Sequence, residues 1–257
     1  MNETLLQGVA AHTAYVLSFL GIIFAVFLIA YAAERIAKKR TGDTERILST
    51  RRIAVIGVFS AIACVVHLFD FPLPFAPPFY KLDFSEIPVL ITGFAYGPVA
   101  GVMTEFIKVL LKLAVKGTST AFVGDLANFV VGCSLVVPAS IVYSFFKSRK
   151  GAIAACVTGT VMITICGTLL NAVYLLPAFA ALYGMPMESL IAMGTAINGN
   201  ITGVMSFVIL AVAPMNLLKG VSVSMVTMLV YKSLSPFMKE GLPKKQLKNS
   251  TVSGKLM

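Results

Sequence analysis

Charged residues are scarce in this 257-residue sequence, and their scarcity excludes most soluble proteins. Asp, Glu, Lys and Arg together make up 12% of the residues, against about 25% in an average soluble domain. Apolar side chains make up 58%, and the mean hydropathy is +0.89. A soluble fold of this size cannot hide so much apolar surface, because more than half of its accessible surface would still face water. Soluble enzymes, nucleic-acid binders and disordered proteins are therefore excluded.

The sequence also lacks the common motifs of hydrolases and metal sites. It has no Walker A, HExxH or GxSxG sequence, which argues against ATP hydrolysis and against the commonest intramembrane hydrolases. Its two histidines, His12 and His67, are too isolated to form a metal site and are interpreted as solvated or interfacial. The cysteines lie in apolar runs without CxxC spacing and are interpreted as packing residues: Cys64, Cys133, Cys156 and Cys166. We therefore predict that the protein is not an enzyme and holds neither a metal nor a cofactor.

What the sequence has in abundance is apolar residues in long runs. They number about 149, and a bilayer core takes roughly 20 residues per crossing, so they would supply about seven spans. We predict an all-α integral membrane protein with a six-helix bundle and one extra N-terminal transmembrane helix.

The cations are concentrated in three segments. Of the 21 Lys and Arg residues, seven lie within 35–52, three within 147–150 and six within 232–255. The positive-inside rule accounts for this distribution without any nucleic acid. It predicts a multi-pass topology with the N-terminus outside and the C-terminus in the cytoplasm.

The apolar runs and their breaks place the individual spans. They are predicted at about 10–33, 53–68, 83–96, 99–115, 122–146, 152–183 and 214–234. The short third span ends because Gly97-Pro98 cannot continue a helix. The proline-rich stretch at 71–81 is predicted to be a stiff outer loop. Residues 184–213 are interpreted as an outer, lid-like segment with short helices, because the apolar run at 204–213 is too short to cross a membrane.

Polar side chains inside the predicted spans are the candidate functional residues. An ionisable group within a span costs about 2.5 to 3.5 kcal/mol and usually faces a cavity or a partner. Asn216 and Lys219 lie three residues apart on one face of the last helix. Asn128 follows Asp125 in the fifth span, and Asn171 lies in the outer half of the sixth. The helix directions place all of them near one outward-facing pocket. The alternative is that the asparagines only bond between helices, at about 0.6 kcal/mol each.

Two further groups of residues allow two interpretations. Glu105 and Lys108 are spaced i,i+3 and are interpreted as a structural ion pair, with Lys112 extending outward to the membrane surface. The aromatic residues of the outer loop suit stacking on a flat heteroaromatic ring and equally suit a membrane interface. They are Phe75, Phe79, Tyr80 and Phe84.

Several motifs occur in an order that resembles a known family. They are Leu73-Pro-Phe-Ala-Pro-Pro-Phe-Tyr-Lys-Leu-Asp-Phe-Ser-Glu-Ile-Pro, Gly97-Pro-Val-Ala-Gly, Glu105-Phe-Ile-Lys, Ala127-Asn-Phe, Leu170-Asn and Pro214-Met-Asn-Leu-Leu-Lys-Gly. Over about residues 51–238 the sequence resembles the riboflavin-binding S components of energy-coupling factor (ECF) transporters. The motifs are specific in combination. The N-terminal span lies outside the usual six-helix pattern of these proteins.

The resemblance implies a substrate-capturing subunit of the cell membrane without catalytic activity. Riboflavin would be bound from outside as the transported ligand and delivered inward with a transmembrane coupling subunit and two cytosolic ATPase subunits. The implied organisation is an extra N-terminal helix with a basic cytoplasmic linker (1–50), a six-helix S-component domain (51–238) and a basic cytoplasmic tail (239–257).

The family's ligand pocket, carried over to matching positions, implies a set of substrate-binding residues. They are Phe79, Tyr80, Lys81, Phe84, Asn128, Asn171, Asn216 and Lys219. In the family picture, amides and the lysine bond the ring edge and the ribityl hydroxyls, while aromatic and aliphatic side chains hold the ring faces. Riboflavin is neutral and flat with a hydroxylated tail, so such a pocket fits it better than a charge clamp.

S components often dock on the coupling subunit through an AxxxA pattern on their first helix. The corresponding helix here reads Ala54-Val-Ile-Gly57-Val-Phe-Ser60-Ala61, so the alanine pair is incomplete. Gly57 and Ala61 still allow close helix packing. Ala54, Gly57 and Ala61 are therefore the expected coupling interface.

Three other functions remain open at this stage. The chain could be an S component for another vitamin, or a stand-alone secondary transporter driven by an ion gradient. Secondary transporters usually carry inverted repeats, and no convincing internal repeat is found. A structural or assembly protein of the membrane would show no saturable ligand binding.

Overall fold

The structure, a computed structural model, describes residues 2–77, 79–118 and 123–239, with side chains except those of 2–19, 182–183 and 231–239. The predicted basic tail from residue 240 onward lies outside the described residues. So do the side chain of His12 and the last two residues, Ser119 and Thr120, of the turn that the sequence predicts between the fourth and fifth spans at 117–120.

The described chain is almost entirely helical. The helices are α1 (Asn2–Thr41), α2 (Thr50–Leu68), α3 (Glu86–Tyr96), α4 (Pro98–Lys116), α5 (Val123–Phe145), α6 (Arg149–Leu170), α7 (Leu176–Tyr183), α8 (Met187–Thr195), α9 (Val204–Phe207) and α10 (Ala213–Lys239). Two π-helical turns, Asn171–Leu175 and Val208–Val212, join α6 to α7 and α9 to α10. In the loop after α2, β1 (Phe71–Pro72) pairs antiparallel with β2 (Lys81–Leu82).

Five helical stretches of the described residues are long and apolar enough to cross a membrane. They are Leu20–Thr41, Thr50–Leu68, Val123–Phe145, Arg149–Ala181 and Val204–Val230. Between the second and third of them lie α3, a shorter apolar helix, and α4, which has 19 residues but carries several charges. The architecture is therefore consistent with a six-helix body preceded by one additional helix. The bundle has two ends. The C-terminal ends of α2, α4 and α6 lie at one of them, which we call the "pocket end". Their N-terminal ends lie at the other, which we call the "basic end".

The core lies where α3, α5, α6 and α10 meet. Its fully buried members come from all four helices and include Leu90, Leu135, Ile163 and Val223. These side chains contact one another rather than lipid, so they fix the position of α10, which carries two of the predicted site residues.

The prediction that 204–213 is part of a lid was wrong. The last span begins at Val204 and continues through Pro214 to Val230. Proline removes a backbone donor and clashes with the carbonyl four residues earlier. Here the preceding turn widens, and the Ala213 amide bonds the carbonyl of Val208 in a π-helical turn. A proline inside an apolar run therefore did not end the helix.

A second π-helical turn has the same cause. Pro177 follows the turn Asn171–Leu175, in which the Leu176 amide bonds the carbonyl of Asn171. Both turns lie at the pocket end, and each is beside a predicted ligand-binding asparagine, Asn171 or Asn216. Local π-helical turns of this kind often occur at functional sites.

Gly97 separates α3 from α4, as the sequence predicts. Its φ of 103° lies in a region of backbone conformation that glycine adopts without strain and other residues rarely adopt. A Cβ here would also lie 2.8 Å from the Glu34 carboxylate of α1. Gly97 therefore permits both the chain reversal and the close approach of α1.

The additional helix α1 packs on the body through a buried carboxylate. Glu34 Oε2 accepts a hydrogen bond from the Val99 amide at 3.0 Å, satisfying one of the free donors at the start of α4. Arg52 Nη1 lies 3.5 Å from Glu34 Oε1, and Arg52 Nη2 lies 2.9 Å from Glu45 Oε2. Ala30 adds an apolar contact to Val99 and its neighbours. Thus α1, α2 and α4 are tied together at the basic end.

We expect Glu34→Ala to lower the free energy of unfolding by about 3 kcal/mol, because it leaves the Val99 amide at the start of α4 without its acceptor and removes one of the two carboxylates that offset the charge of the buried Arg52. Glu45→Ala is the matched control. It pairs with the same Arg52, but its side chain is half exposed, so its loss should cost less than about 1 kcal/mol. Unfolding in a detergent titration measures both. Equal effects of the two substitutions would contradict the packing role of Glu34.

Candidate ligand-binding site

A cavity of about 390 Å³ opens at the pocket end of the bundle. Its walls come from the end of α2 and the loop after it, from α4 and α5, from the π-helical turn after α6, and from α7 and α10. Its size falls within the range of small-molecule sites. We call it the polar cavity.

Seven of the eight predicted substrate-binding residues line the polar cavity. They are Phe79, Tyr80, Lys81, Asn128, Asn171, Asn216 and Lys219. Phe84 does not line it. Its ring lies 6.2 Å from that of Phe71 and packs against the core, because the loop turns into α3 at this point. Phe84 is therefore a packing residue.

Tyr80 and Asn171 join the loop to the end of α6. Tyr80 Oη donates to Asn171 Oδ1 at 2.6 Å, and Asn171 Nδ2 donates to the carbonyl of Gly167 at 2.7 Å. Burial raises the pKa of the Tyr80 phenol, so this residue remains a neutral donor. The Phe79 ring lies 4.7 Å from that of Tyr80 and 5.7 Å from that of Phe179. The cavity thus has an aromatic wall.

Asn216 presents a buried amide without a partner. The residue is 1% exposed, and its Nδ2 atom has no hydrogen-bond partner in the structure. A Cβ on Gly167 of α6 would lie 2.6 Å from this nitrogen, so the glycine makes room for it. An unpaired buried donor costs about 1 to 3 kcal/mol. Because this unpaired donor destabilises the protein and belongs to a residue that lines the cavity, it is a candidate contact for a ligand.

Lys219 is held by two carboxylates that come from far away in the sequence. Its Nζ lies 3.0 Å from Asp83 Oδ2 and 2.8 Å from Glu86 Oε1. An ammonium group has three donors, so these two carboxylates leave one donor for a third acceptor. Burial alone would raise the pKa of Asp83, but Lys219 and the hydrogen bond from His67 outweigh it and hold that pKa well below its usual range.

The ion network continues from the cavity into the core. Lys108 Nζ lies 3.4 Å from Glu86 Oε1 and 2.6 Å from Glu105 Oε1, and all three side chains are fully buried. The predicted pairing of Glu105 with Lys108 is therefore present in the structure. It belongs to a larger network of three carboxylates and two ammonium groups that runs from Glu105 to Asp83.

His67 is not solvated, contrary to the prediction from sequence. It is buried, its Nδ1 atom lies 3.2 Å from Asp83 Oδ1, and it lines the polar cavity. Ser85 also donates to that carboxylate oxygen through its amide, at 2.9 Å, and through its hydroxyl. The last turn of α2 is thereby fixed to the cavity wall.

Lys112 also differs from its prediction. It turns inward, and its Nζ lies 2.6 Å from Asp125 Oδ1 at the start of α5. A buried carboxylate within reach outweighs an extended path to the membrane surface. At the mouth of the cavity, the half-exposed Lys81 and Lys116 both approach Asp70 at 3.3 Å. The mouth is therefore polar and open to water.

The predicted coupling residues lie on the exposed face of α2, whereas His67 is buried. Ala54, Gly57 and Ala61 are exposed, and a Cβ on Gly57 would meet nothing within 4 Å. Val58, which lies between Gly57 and Ala61 in the sequence, is also exposed and adds an apolar side chain to this face.

Among the described residues, no group of His, Cys, Asp and Glu side chains could hold a metal ion. The four cysteines are free; three are buried and Cys166 is half-buried.

Comparison with known proteins gives a consistent group of relatives. The family model described as ECF transporter, substrate-specific component, matches residues 51–231. The riboflavin transporter FmnP of Bacillus subtilis (strain 168) is 31% identical over 194 residues, which cover 75% of this chain and 96% of FmnP. The riboflavin transporter RibU of Staphylococcus aureus (strain TCH60) is 32% identical over 74% of this chain and 93% of its own length.

A solved structure of the S component of a bacterial ECF transporter is also similar. It has a TM-score of 0.57 and 34% sequence identity, over 74% of this chain and 98% of that chain. The predicted all-α membrane fold is thereby confirmed. The helix α1 precedes the region that the family model matches.

Proposed function

Because the chain belongs to the substrate-specific component family of ECF transporters, we propose that it captures riboflavin from outside the cell in the polar cavity. The family consists of transport subunits, not enzymes, so riboflavin is cargo here and not a cofactor. Delivery inward takes place with a transmembrane coupling subunit and two cytosolic ATPases. The relatives named as riboflavin transporters favour this vitamin over others.

The observation that carries the proposal is the unpartnered Asn216 amide on the wall of a cavity that also has aromatic side chains. Riboflavin offers a flat ring system with carbonyl acceptors along one edge. Asn216 Nδ2 and the third donor of Lys219 supply hydrogen bonds to that edge. Phe79 and Tyr80 supply apolar contact to the ring face. The cavity thus offers hydrogen-bond donors and aromatic contacts to a neutral aromatic ligand, and it does not require the ligand to carry a charge.

The remaining predicted site residues in the cavity act at the tail end of the ligand. Asn171 and Asn128 provide amides for the hydroxylated tail, and Lys81 lies at the mouth, where the tail meets water. Asp83 and Glu86 do not need to touch the ligand; they hold the Lys219 ammonium in place.

The ligand carried by the purified protein tests this proposal. The full chain is purified in neutral detergent, denatured and extracted, and the extract is expected to contain riboflavin. Protein freed of ligand is then titrated with riboflavin, thiamine or biotin, and only riboflavin is expected to bind saturably. Saturable binding of a different vitamin would replace the proposed cargo. Uptake by this chain alone in vesicles with an ion gradient would instead indicate a secondary transporter.

The exposed face of α2 is the proposed docking surface for the coupling subunit. Ala54, Gly57 and Ala61 form a strip of small residues on it, which suits close packing between helices in a membrane. It lies on the same helix as His67, which contacts the cavity wall.

We expect Gly57→Leu to leave riboflavin affinity within about twofold of the parent and to lower uptake by the complete transporter about tenfold or more, because a bulky side chain prevents close helix packing. A Cβ at this exposed position would meet no atom within 4 Å, so folding should be unaffected. Fluorescence titration and uptake into vesicles measure the two effects. Loss of ligand binding in the variant would show that this face packs within the protein.

The proposed topology has the polar cavity and the N-terminus outside and the basic end in the cytoplasm, with units at 1–50, 51–238 and 239–257. The three cationic segments support it. A single cysteine introduced at Lys116 in a cysteine-free background should react with an impermeant thiol reagent on intact cells, whereas one introduced at Lys150 should not. The reverse pattern would invert the topology.

A further inference from the structure

The basic end carries exposed cations from two separate parts of the chain. Lys39, Arg40 and Arg46 belong to the end of α1 and the linker that follows it, whereas Arg149 and Lys150 begin α6. We call these five residues the basic rim. The guanidinium of Arg40 lies 5.7 Å from the centre of the Phe145 ring at the end of α5. The two halves of the rim are therefore neighbours.

The carboxylates near the basic rim are already engaged with other cations. Glu34 and Glu45 bind Arg52, and Asp43 binds Lys38 at 2.8 Å. Burial of Asp43 raises its pKa, but the hydrogen bonds from Lys38 and the Glu45 amide outweigh that effect and keep its pKa below the usual value. Asp43 therefore stays charged and bound to Lys38. No ion pair joins a rim residue to a carboxylate of the described residues.

Apolar side chains mark the depth of the basic rim in the membrane. Ile36 is 61% exposed on α1, and Phe146 is 65% exposed in the turn before α6. The apolar, exposed face of α1 continues away from the rim through Leu28 and Phe24. Cations that directly follow a lipid-facing apolar surface lie at the level of the lipid phosphates. A soluble acidic protein would satisfy the charges but would not cover Ile36 and Phe146.

We propose that the basic rim binds the headgroups of anionic phospholipids. Clusters of Lys and Arg beside a transmembrane helix attract acidic lipids in this way. Three of the five rim residues lie within 39–46, which precedes the region matched by the family model. The additional helix α1 and its linker thus complete a lipid-binding surface to which the six-helix body alone contributes two of the five cations. This inference does not depend on the identity of the cargo.

Lipid retention by the full chain tests the proposal. The protein is purified in neutral detergent with either phosphatidylglycerol or phosphatidylcholine, and bound lipid is counted by native mass spectrometry. We expect preferential, salt-sensitive retention of phosphatidylglycerol, because the attraction is electrostatic. The double variant Lys39→Gln, Lys150→Gln should weaken it about tenfold.

The matched control removes the same charge from the pocket end. Lys81→Gln with Lys116→Gln should leave phosphatidylglycerol retention unchanged. Equal retention of both lipids, no effect of the rim variant, or an equal effect of the control variant would each overturn the proposal. Weaker association of the rim variant with purified cytosolic ATPase subunits, at unchanged lipid retention, would also overturn it and identify a protein-binding surface. Riboflavin titration of the parent protein and of the rim variant, neither of which changes a cavity residue, tests the proposed cargo separately.

Discussion

Replacing Asn216 with leucine is expected to weaken riboflavin binding about 10- to 100-fold without lowering the stability of the protein. Leucine has nearly the shape of asparagine but no donor. The Nδ2 atom has no partner in the ligand-free protein, so its removal takes away a cost of folding rather than a stabilising bond. The ligand, in contrast, loses a buried hydrogen bond worth about 1 to 3 kcal/mol, and each 1.4 kcal/mol is a factor of ten in affinity.

Thr227→Val is the matched control for this prediction. Thr227 is on the same helix, is 1% exposed and has an unpartnered hydroxyl, but it does not line the polar cavity. Its replacement should leave both affinity and stability unchanged or slightly raise stability. If the two variants bind riboflavin equally well, Asn216 is not a ligand contact.

Replacing Lys108 with methionine is expected to lower the free energy of unfolding by about 3 to 5 kcal/mol. Methionine fills similar space but leaves Glu86 and Glu105 without the cation between them, and removing one partner from a buried ion network has a cost of this size. Lys116→Met is the control, because Lys116 is 44% exposed and its pairing with Asp70 should contribute less than about 1 kcal/mol.

A double variant separates the loss of charge balance from a loss of packing. Glu86 keeps Lys219 in Lys108→Met, whereas Glu105 loses its cation. Adding Glu105→Gln removes that unbalanced charge, so it should recover part of the lost stability. Detergent-induced unfolding of the parent, the single variants and the double variant gives the coupling between the two side chains. A double variant no more stable than Lys108→Met alone would contradict the proposed charge balance.

The ion network also changes what is expected of Lys219. From sequence alone, Lys219→Ala should weaken binding without unfolding the protein. In the structure, that substitution removes the ammonium group that pairs with Asp83 and Glu86. It should therefore also destabilise the fold. Asn216→Leu is for this reason the cleaner test of the pocket.

The helices and the breaks between them were the features that the sequence predicted best. Long apolar runs have few alternatives to a transmembrane helix, and Gly97-Pro98 combines a residue that tolerates positive φ with one that lacks a donor. The error at 204–213 came from treating Pro214 as a helix start. Whether a proline ends a helix depends on whether the preceding turn can widen, which is a property of the packed helix rather than of the local sequence.

Part of the candidate site could be predicted from the sequence, because polar residues inside spans are few. Asn171, Asn216 and Lys219 stand out against an apolar background, and the basic segments predict the direction of their helices. The partners of Lys219 were missed because Asp83 is 136 residues away. A lone amine in a membrane requires an acceptor, and the acidic residues at the start of the third span were the available signal. His67 was misjudged for the same reason, since its burial depends on Asp83.

The direct test of the central claim is an equilibrium titration of the purified full chain with riboflavin, followed through the quenching of flavin fluorescence. We predict a saturable one-to-one curve for the parent protein and the same end point at higher riboflavin concentration for Asn216→Leu. Absence of saturable quenching in the parent, or superimposable curves for the two proteins, would contradict the assignment of the polar cavity as the riboflavin site.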